Sequence, residues 1–234
     1  MGAPETRWPG PTSRPAGRLP PPTSHHALMR WMVVVPLKRL ATAKSRLRSA
    51  VDAPGPALAL ALACDTVAAA LGHVEVLVVC DDPVATAALR QLGATVVAEP
   101  EYAGLNGALR HGSALARRAD ARPAALTGDL PALRAADLAA ALDACGPRAT
   151  FVADAAGAGT TLLAAAVGAD LAPRFGPDSA AAHQAIGAVA LTPAPSRLRL
   201  DVDTAADLAA AAALGLGPHT RAVLAGQLTA PLAS

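Results

Sequence analysis

A short apolar run at residues 124–126 is followed directly by Thr127, Gly128 and Asp129, of which Gly128 and Asp129 are best suited to carry chemistry. The run predicts a buried parallel strand, and in open α/β sheets ligands bind outside the carboxyl ends of the strands. Gly128 leaves room for a ligand beside the backbone, and the Asp129 carboxylate is a hard oxygen ligand that suits Mg²⁺. The alternative is that Asp129 only solvates a turn or caps the next helix. That helix is predicted to begin near Ala135, which is too distant for a cap.

A second acidic group, Asp201 and Asp203, lies in the stretch LRLDVDTAADL. Thr204 is predicted to cap the helix that follows, with Asp207 as its capping-box partner. For Asp203 the alternative to a ligand role is therefore an interaction with the dipole of that helix, whereas Asp201, at the end of a predicted strand, has no such local role. Carboxylates from two distant strand ends, Asp129 and Asp201, can share a metal ion, although their spacing in the sequence leaves this open.

A basic segment follows the first predicted strand, residues 31–37, and includes Lys38, Lys44 and Arg46. Many phosphate sites place glycines at this point, so that backbone N–H groups surround the anion, but this segment has no glycine run. Its side-chain cations can instead neutralise a triphosphate. The alternative is an ordinary solvated basic face.

Three further segments combine small or polar residues in turns. Residues 157–161 (GAGTT) and 175–179 (FGPDS) offer hydroxyls and backbone N–H groups that suit a carboxylate or a phosphate. Alternatively, the first is a plain hairpin turn and Ser179 caps a helix. In residues 104–107 (GLNG), Gly104 and Asn106 can present amide groups to a base or ribose, or Asn106 can simply cap the helix.

The elements that position these residues fall into two halves. The first half alternates strands, predicted at residues 31–37, 73–80, 94–98 and 124–126, with helices, predicted at residues 56–71, 83–92, 105–118 and 135–144. This alternation predicts a parallel, doubly wound, Rossmann-like sheet. The second half is expected to add short antiparallel strands at residues 150–153, 160–167, 188–192 and 198–200, a short helix after residue 175, and a helix at residues 204–214.

Composition restricts the class of protein. The chain has 234 residues, a net charge of +2 and only 2% aromatic residues, which argues against a nucleic-acid or membrane-surface partner. No CxxC pair occurs among the three cysteines, so we expect a reducing, cytoplasmic environment and no zinc site. The scattered histidines, including His183, receive no ligand role. Residues 1–30, rich in Pro, Gly, Ser and Arg, are predicted to be a disordered tail before a single domain at residues 31–234.

Taken together, these segments resemble a known family. The motifs PLKRLATAKSRL, GLNGALRHG, TGDLPAL, GTTLL, FGPDSAAAH and LDVDTAADL occur in the order found in the 2-phospholactate or phosphoenolpyruvate guanylyltransferases of coenzyme F420 biosynthesis. The resemblance covers roughly residues 32–216. The alanine-rich composition is similar to that of high-GC actinobacterial proteins, for which the enolpyruvyl version of the reaction is expected.

The resemblance implies roles for individual residues. The fold is expected to be the nucleotidyltransferase version of the Rossmann-like sheet, mostly parallel and flanked by helices. Mg²⁺ would be held by Asp129 and Asp201, with Asp203 as the alternative second ligand. The residues that match acceptor-binding positions are Thr161, Gly176 and Ser179. The residues that fall in the nucleotide loop are Pro36, Lys38, Lys44 and Arg46.

The implied activity is transfer of GMP from GTP to phosphoenolpyruvate or 2-phospho-L-lactate, with release of pyrophosphate. Lys38, Lys44 and Arg46 would stabilise the departing charge, and Asp129 would act in catalysis through the metal. Two other functions stay open. One is another Mg²⁺-dependent nucleotidyltransferase, acting on a molybdenum cofactor or a sugar phosphate. The other is a nucleotide-binding module without catalytic activity.

Overall fold

The computed structural model of the protein describes residues 30–40, 55–101 and 104–226. The predicted tail before Arg30 and the predicted site residues Lys44 and Arg46 lie outside these ranges. The strands of the described residues are β1 (Trp31–Leu37), β2 (Glu75–Cys80), β3 (Thr95–Val97), β4 (Arg122–Leu126), β5 (Thr150–Ala153), β6 (Thr160–Ala164) and β7 (Val189–Ala190).

The helices of the described residues are α1 (Gly55–Leu71), α2 (Pro83–Gln91), α3 (Gly104–Arg118), α4 (Ala135–Asp143), α5 (Ser179–Ala185), α6 (Ser196–Arg199), α7 (Ala205–Leu214) and α8 (Pro218–Leu224). Side-chain caps explain where two of them begin. The Asp82 carboxylate accepts the first free N–H groups of α2, from Val84 at 3.0 Å and Ala85 at 3.1 Å. At the start of α7, Thr204 and Asp207 form the predicted capping box.

The described strands form one sheet in the order β3-β2-β1-β4-β6-β5-β7. Strands β1 to β4 pair in parallel, as the alternating pattern predicted. Only β6 runs antiparallel to its neighbours in this sheet, since β5 and β7 pair in parallel. The carboxyl ends of β1 and β4 therefore lie at the same edge as the amino end of β6, and we call this the carboxyl edge.

Side chains alternate between the two faces of the sheet. Val33 and Val35 pack toward α1, α2 and α4, whereas Val34 packs toward α3 and α5. All three valines are fully buried, and burial of such a side chain contributes about 1.5–3 kcal/mol. No helix in the described part of the chain combines the length and hydropathy needed to cross a bilayer.

Two expectations about the second half are wrong. Residues 198–200 do not form a strand, because residues 196–199 form the helical turn α6, with Leu198 buried beneath it. The Arg199 side chain fixes this turn by donating to the carbonyls of Ala153, at 3.1 Å, and Asp154, at 2.7 Å. The predicted strands at residues 160–167 and 188–192 are shorter than expected and end at Ala164 and Ala190.

Two adjacent polar residues of α1 hold distant loops. The buried Asp65 carboxylate accepts the backbone N–H groups of His219, at 3.0 Å, and Thr220, at 2.8 Å, in the first turn of α8. The Thr66 hydroxyl accepts the backbone N–H of Leu130 at 2.9 Å. Helix α1 therefore anchors both the segment that follows β4 and the last described helix.

Close packing of α3 on the sheet depends on Gly112, which gives a first prediction. A Cβ atom there would overlap Val34 Cγ1 and lie 3.3 Å from Val79 Cγ2. We expect Gly112→Ala to lower the free energy of unfolding by about 1–3 kcal/mol, because the β-branched Val34 cannot move aside. Urea denaturation measures the change. The control is Gly146→Ala, since a Cβ at Gly146 meets no atom within 4 Å. Equal stability of the two variants would contradict the close contact.

Candidate functional site

Two acidic segments that are distant in the sequence meet at the carboxyl edge. The backbone N–H of Val202 donates to the carbonyl oxygen of Asp129 at 3.0 Å. This bond places Asp201 and Asp203, the neighbours of Val202, beside the loop that carries Asp129. Asp129 and Asp201 therefore lie near each other, but Asp201 follows the helical turn α6, so the prediction that it ends a strand is wrong.

The electrostatics of Asp201 reflect this meeting. The pKa of the Asp201 carboxyl is raised from 3.8 to about 7, first by burial and then by the neighbouring charges of Asp129 and Asp203. A carboxyl whose pKa is raised by burial and by neighbouring carboxylates is typical of functional sites. A divalent cation between these carboxylates would relieve their repulsion. Residues of the described ranges contain no group of three or more His, Cys, Asp or Glu that could hold a metal unaided.

A cavity of about 380 Å³ opens at this edge. Its lining residues come from the ends of β1 and β4, the start of α3 and two later loops, and include Pro36, Lys38, Thr127, Asp129, Phe175 and Asp203. The predicted nucleotide residues Pro36 and Lys38 therefore share one space with the acidic group. Gly104 lies at the exposed start of α3 and has a φ of 59°, which favours glycine.

Gly128 lines this cavity, and it also packs closely against β1. A Cβ atom there would lie 3.3 Å from Val35 Cγ1 and 3.6 Å from Leu37 Cδ1. The side on which a Cβ would lie is thus filled by side chains of β1, and the glycine permits close packing of the loop after β4. The predicted room for a ligand beside the backbone stays a prediction.

Two buried hydroxyls at the carboxyl edge complete the site, and the sequence pointed to only one of them. Thr161 is an extra residue in β6, because Val152 pairs with Leu162 while Ala153 pairs with Thr160. Such a bulge re-aims side chains and is frequent beside active sites. Within the described ranges, neither Thr161 Oγ1 nor Thr127 Oγ1 has a hydrogen-bond partner, although both atoms are buried.

These two threonines are neighbours across the sheet. The Thr127 N–H donates to the Thr161 carbonyl at 3.0 Å. Because buried hydroxyls normally have partners, two unpaired ones side by side indicate a place where a polar ligand binds. Thr127 was missed by the sequence analysis, and its position between an apolar strand and Asp129 was the one available signal.

The segment 175–179, called here the FGPDS loop, has an unusual backbone. Gly176 has a φ of 144° and Asp178 a φ of 53°, and only glycine adopts the first without strain. Ser179 is buried and is the first residue of α5, so its expected alternative as a helix cap is wrong. Helix α5, which follows the loop, is bonded to the hairpin turn before β6, because the Ala180 N–H donates to the Ala158 carbonyl at 3.0 Å.

Asn106 holds the FGPDS loop from α3. Its Nδ2 donates to the Phe175 carbonyl at 2.9 Å, and its Oδ1 accepts the Phe175 N–H at 2.8 Å. Asn106 lies inside α3, which begins at Gly104, so the alternative that it caps this helix is wrong. The Nδ2 and Oδ1 atoms of the Asn106 side chain are both hydrogen-bonded to protein backbone. The predicted contact of Asn106 with the nucleotide stays a prediction.

His183 holds the same loop from α5. Its Nε2 accepts the Arg174 N–H at 2.9 Å, and its Nδ1 lies 2.9 Å from Thr160 Oγ1. An accepting Nε2 assigns the proton of the neutral ring to Nδ1, which then donates to the threonine. The ring also packs edge-on against Phe175 at 5.1 Å. Burial, followed by the charge of Arg174, lowers the His183 pKa from 6.5 to about 4.

This neutral histidine makes stability depend on pH. Between pH 6.5 and 4 the unfolded chain binds a proton at His183 that the folded chain does not. The free energy of unfolding therefore decreases as the pH is lowered through this window. We expect a loss of up to about 3 kcal/mol in this window, and His183→Gln should remove it. Urea midpoints at several pH values measure the difference between wild type and variant. The comparison with the variant is needed because the raised pKa of Asp201 increases the free energy of unfolding as the pH is lowered, which opposes the effect of His183. An unchanged slope in His183→Gln would contradict the prediction, and His111→Gln is the control.

A larger cavity, about 830 Å³, lies at the opposite edge of the sheet, among the amino ends of β1, β2 and β4. It contains the ion pair of Arg30 with Glu75 and the buried Arg122, whose guanidinium stacks on Trp31 at 4.3 Å. None of the predicted site residues lines it. Cavity volume therefore does not identify the site. The smaller cavity is favoured because it is the one lined by Asp129, Asp203 and Lys38.

Comparison with known proteins agrees with this geometry. The family model described as "Guanylyl transferase CofC like" matches residues 31–184. A protein of Salinispora arenicola (strain CNS-205), named phosphoenolpyruvate guanylyltransferase, is 56% identical over 203 residues, covering 84% of this chain and 94% of the relative. A protein of the same name from Thermomonospora curvata is 52% identical over 210 residues, covering 87% of this chain and 92% of the relative.

The fold is also found among solved structures. A protein of Desulfovibrio desulfuricans G20 described as a nucleotide-diphospho-sugar transferase superposes with a TM-score of 0.61 at 14% identity, covering 86% of this chain and 99% of that one. At this identity the likeness concerns the fold alone. The family match and the two relatives carry the assignment: this chain belongs to the CofC-like family of guanylyl transferases.

Proposed function

We propose that this chain transfers GMP from GTP to phosphoenolpyruvate, or to the similar 2-phospho-L-lactate, and releases pyrophosphate, as a step of coenzyme F420 biosynthesis. The relatives named phosphoenolpyruvate guanylyltransferase support the enolpyruvyl acceptor. The observation that carries the proposal is the bond between Val202 and Asp129, which brings two acidic segments together at the carboxyl edge. Enzymes that join two phosphorylated molecules need such a place.

The proposal includes Mg²⁺, held by Asp129 and Asp201 with Asp203 as the alternative second ligand. The residues fit this ion, because Mg²⁺ is usually bound through one or two carboxylates together with substrate phosphates and waters. The raised pKa of Asp201 supports the fit, because after burial its causes are the charges of Asp129 and Asp203, which a bound cation would offset. When bound, the ion would neutralise phosphate oxygens and favour the developing charge on them.

The remaining roles follow from position. Lys38, at the end of β1, would neutralise the triphosphate, and Lys44 and Arg46 would act in the same basic segment. Thr161, Gly176 and Ser179 would bind the carboxylate and phosphate of the acceptor, and the unpaired hydroxyl of Thr127 adjoins Thr161. All of these side chains act by aligning and neutralising two anions that repel each other.

The chemical step is a displacement at phosphorus. An oxygen of the acceptor phosphate forms a bond to the α-phosphorus of GTP, while the bond from that phosphorus to the oxygen bridging it to the β-phosphorus breaks. The bonding pair leaves with pyrophosphate. The acceptor phosphate is already ionised near pH 7, so the chain needs no general base.

The test is incubation of the full chain with GTP, Mg²⁺ and each acceptor in turn, followed by mass detection of the product. Formation of a guanylylated acceptor together with pyrophosphate is the expected result. Pyrophosphate release only with a sugar phosphate or a molybdenum cofactor precursor would favour the other nucleotidyltransferase function. Nucleotide binding by calorimetry without pyrophosphate from any acceptor would indicate a non-catalytic module.

A further inference from the structure

One side chain of α3 controls the position of the FGPDS loop. Asn106 and Phe175 are 69 residues apart, yet the Asn106 amide pairs with both backbone groups of Phe175, at 2.8 and 2.9 Å. Two parallel bonds to one residue fix the orientation of its backbone as well as its distance. The residue that follows is Gly176, a predicted acceptor-binding residue.

Two turns further along α3, a second side chain contacts the backbone that leads into the FGPDS loop. The hydroxyl of the buried Ser113 donates to Asp170 Oδ1 at 3.1 Å and accepts the Leu171 N–H at 2.9 Å. Residues seven apart lie on one face of a helix, so Asn106 and Ser113 contact this part of the chain from the same face of α3. Residues 170–175 are thus attached to α3 at both ends.

The loop combines this attachment with an uncommon backbone conformation. Gly176 has a φ of 144°, which glycine alone adopts readily, and Asp178 has a φ of 53°, in the left-handed region. On one side His183 accepts the Arg174 N–H, and on the other Asn106 holds Phe175. The backbone just before Gly176 is thereby fixed from two helices.

We propose that Asn106 is a positioning residue for the acceptor: through Phe175 it sets the place of the FGPDS loop, and so it governs acceptor affinity without binding the nucleotide. The inference rests on the proposed function, in which this loop binds the acceptor. It replaces the role that the sequence suggested for Asn106. One N–H of Nδ2 and one lone pair of Oδ1 are engaged with Phe175, which fixes the amide in the orientation that holds the loop.

The test compares three variants of the full chain in steady-state kinetics, with phosphoenolpyruvate and GTP varied separately. Asn106→Ala removes both bonds to Phe175. Asn106→Asp keeps the shape and the oxygen that accepts the Phe175 N–H, but it loses the donor. Gln184→Ala is the matched control, because it removes an exposed amide from α5, the helix that follows the loop.

We expect Asn106→Ala to raise the KM for phosphoenolpyruvate about tenfold or more, and Asn106→Asp somewhat less, with the KM for GTP changed less than about twofold. Gln184→Ala should match wild type. Hydrogen exchange at the backbone N–H groups of residues 174–176 and 178 should be faster in both Asn106 variants, which checks the loop independently of turnover. If Asn106→Ala does not fold, the isosteric Asn106→Asp carries the test.

Three results would overturn the inference. A rise in the KM for GTP with an unchanged KM for phosphoenolpyruvate would make Asn106 a nucleotide ligand. Unchanged values of both constants, or unchanged exchange at residues 174–176 and 178, would show that the loop does not depend on this amide. Failure of the wild-type chain to guanylylate any acceptor would instead reject the proposed function, and the exchange comparison would still decide whether Asn106 holds the loop.

Discussion

The Asp129→Asn variant is expected to fold as the wild type does and to lose at least about a thousandfold in kcat/KM, which corresponds to about 4 kcal/mol of transition-state stabilisation. The substitution keeps the size of the side chain and removes its charge. The bond from the Val202 N–H to the Asp129 carbonyl is made by the backbone and should persist. The loss of kcat/KM therefore measures the contribution of the Asp129 carboxylate alone. Pyrophosphate release at saturating GTP, acceptor and Mg²⁺ measures it, and the melting temperature reports the fold.

A matched control for this variant is Asp143→Asn, which makes the same chemical change at an exposed site lining the cavity at the other edge of the sheet. Its activity should equal that of the wild type. Near-normal turnover of Asp129→Asn would remove the carboxylate from the mechanism. A collapse of the melting temperature would show that Asp129 acts mainly in folding.

Asp201→Asn is expected to lose about a hundredfold or more in kcat/KM, whereas Asp203→Asn should lose less than about tenfold. Asp201 is the more buried of the two, and its carboxyl is the one whose pKa is raised to about 7. Asp203 is exposed, and its N–H already bonds the Asp207 carboxylate at 3.1 Å. The melting temperature of Asp201→Asn should equal or exceed that of the wild type, because one of several like charges is removed.

The two variants decide between the alternative second ligands. Parallel assays over a range of Mg²⁺ concentration give the apparent affinity for the ion as well as the rate. A larger loss in Asp203→Asn would assign the second carboxylate to Asp203. Losses below tenfold in both variants would leave Asp129 without a carboxylate partner and would contradict the proposed metal site.

Much of the fold could be predicted because its signals are local. Val33, Val34 and Val35 belong to one apolar run, and the alternation of such runs with helical segments gave the parallel half of the sheet. The capping box of Thr204 and Asp207 was predictable because both partners lie in the same turn of helix. The rule that ligands bind at carboxyl strand ends then predicted a site at Asp129, which does line the cavity at that edge.

What could not be predicted depends on contacts between distant residues. The run Leu198-Arg199-Leu200 alternates as a strand does, but Arg199 is held by carbonyls of β5 and its loop, and a helical turn results. The bond of Asn106 to Phe175 spans 69 residues, so no local pattern announces it. The unpaired hydroxyl of Thr127 is likewise a property of its surroundings, which no sequence pattern contains.

The anchoring of two loops by Asp65 and Thr66 has a consequence for where the working unit of this protein ends. The family match stops at residue 184, yet α8, which begins at residue 218, is tied to the same helix that steadies the backbone next to Asp129. The Gly217 N–H also donates to the Pro131 carbonyl at 2.8 Å. An expression fragment trimmed to the matched region would lack the second acidic segment, Asp201 and Asp203. It would also lack the residues that hold the loop carrying Asp129. The boundary for domain exchange or fusion therefore belongs beyond α8.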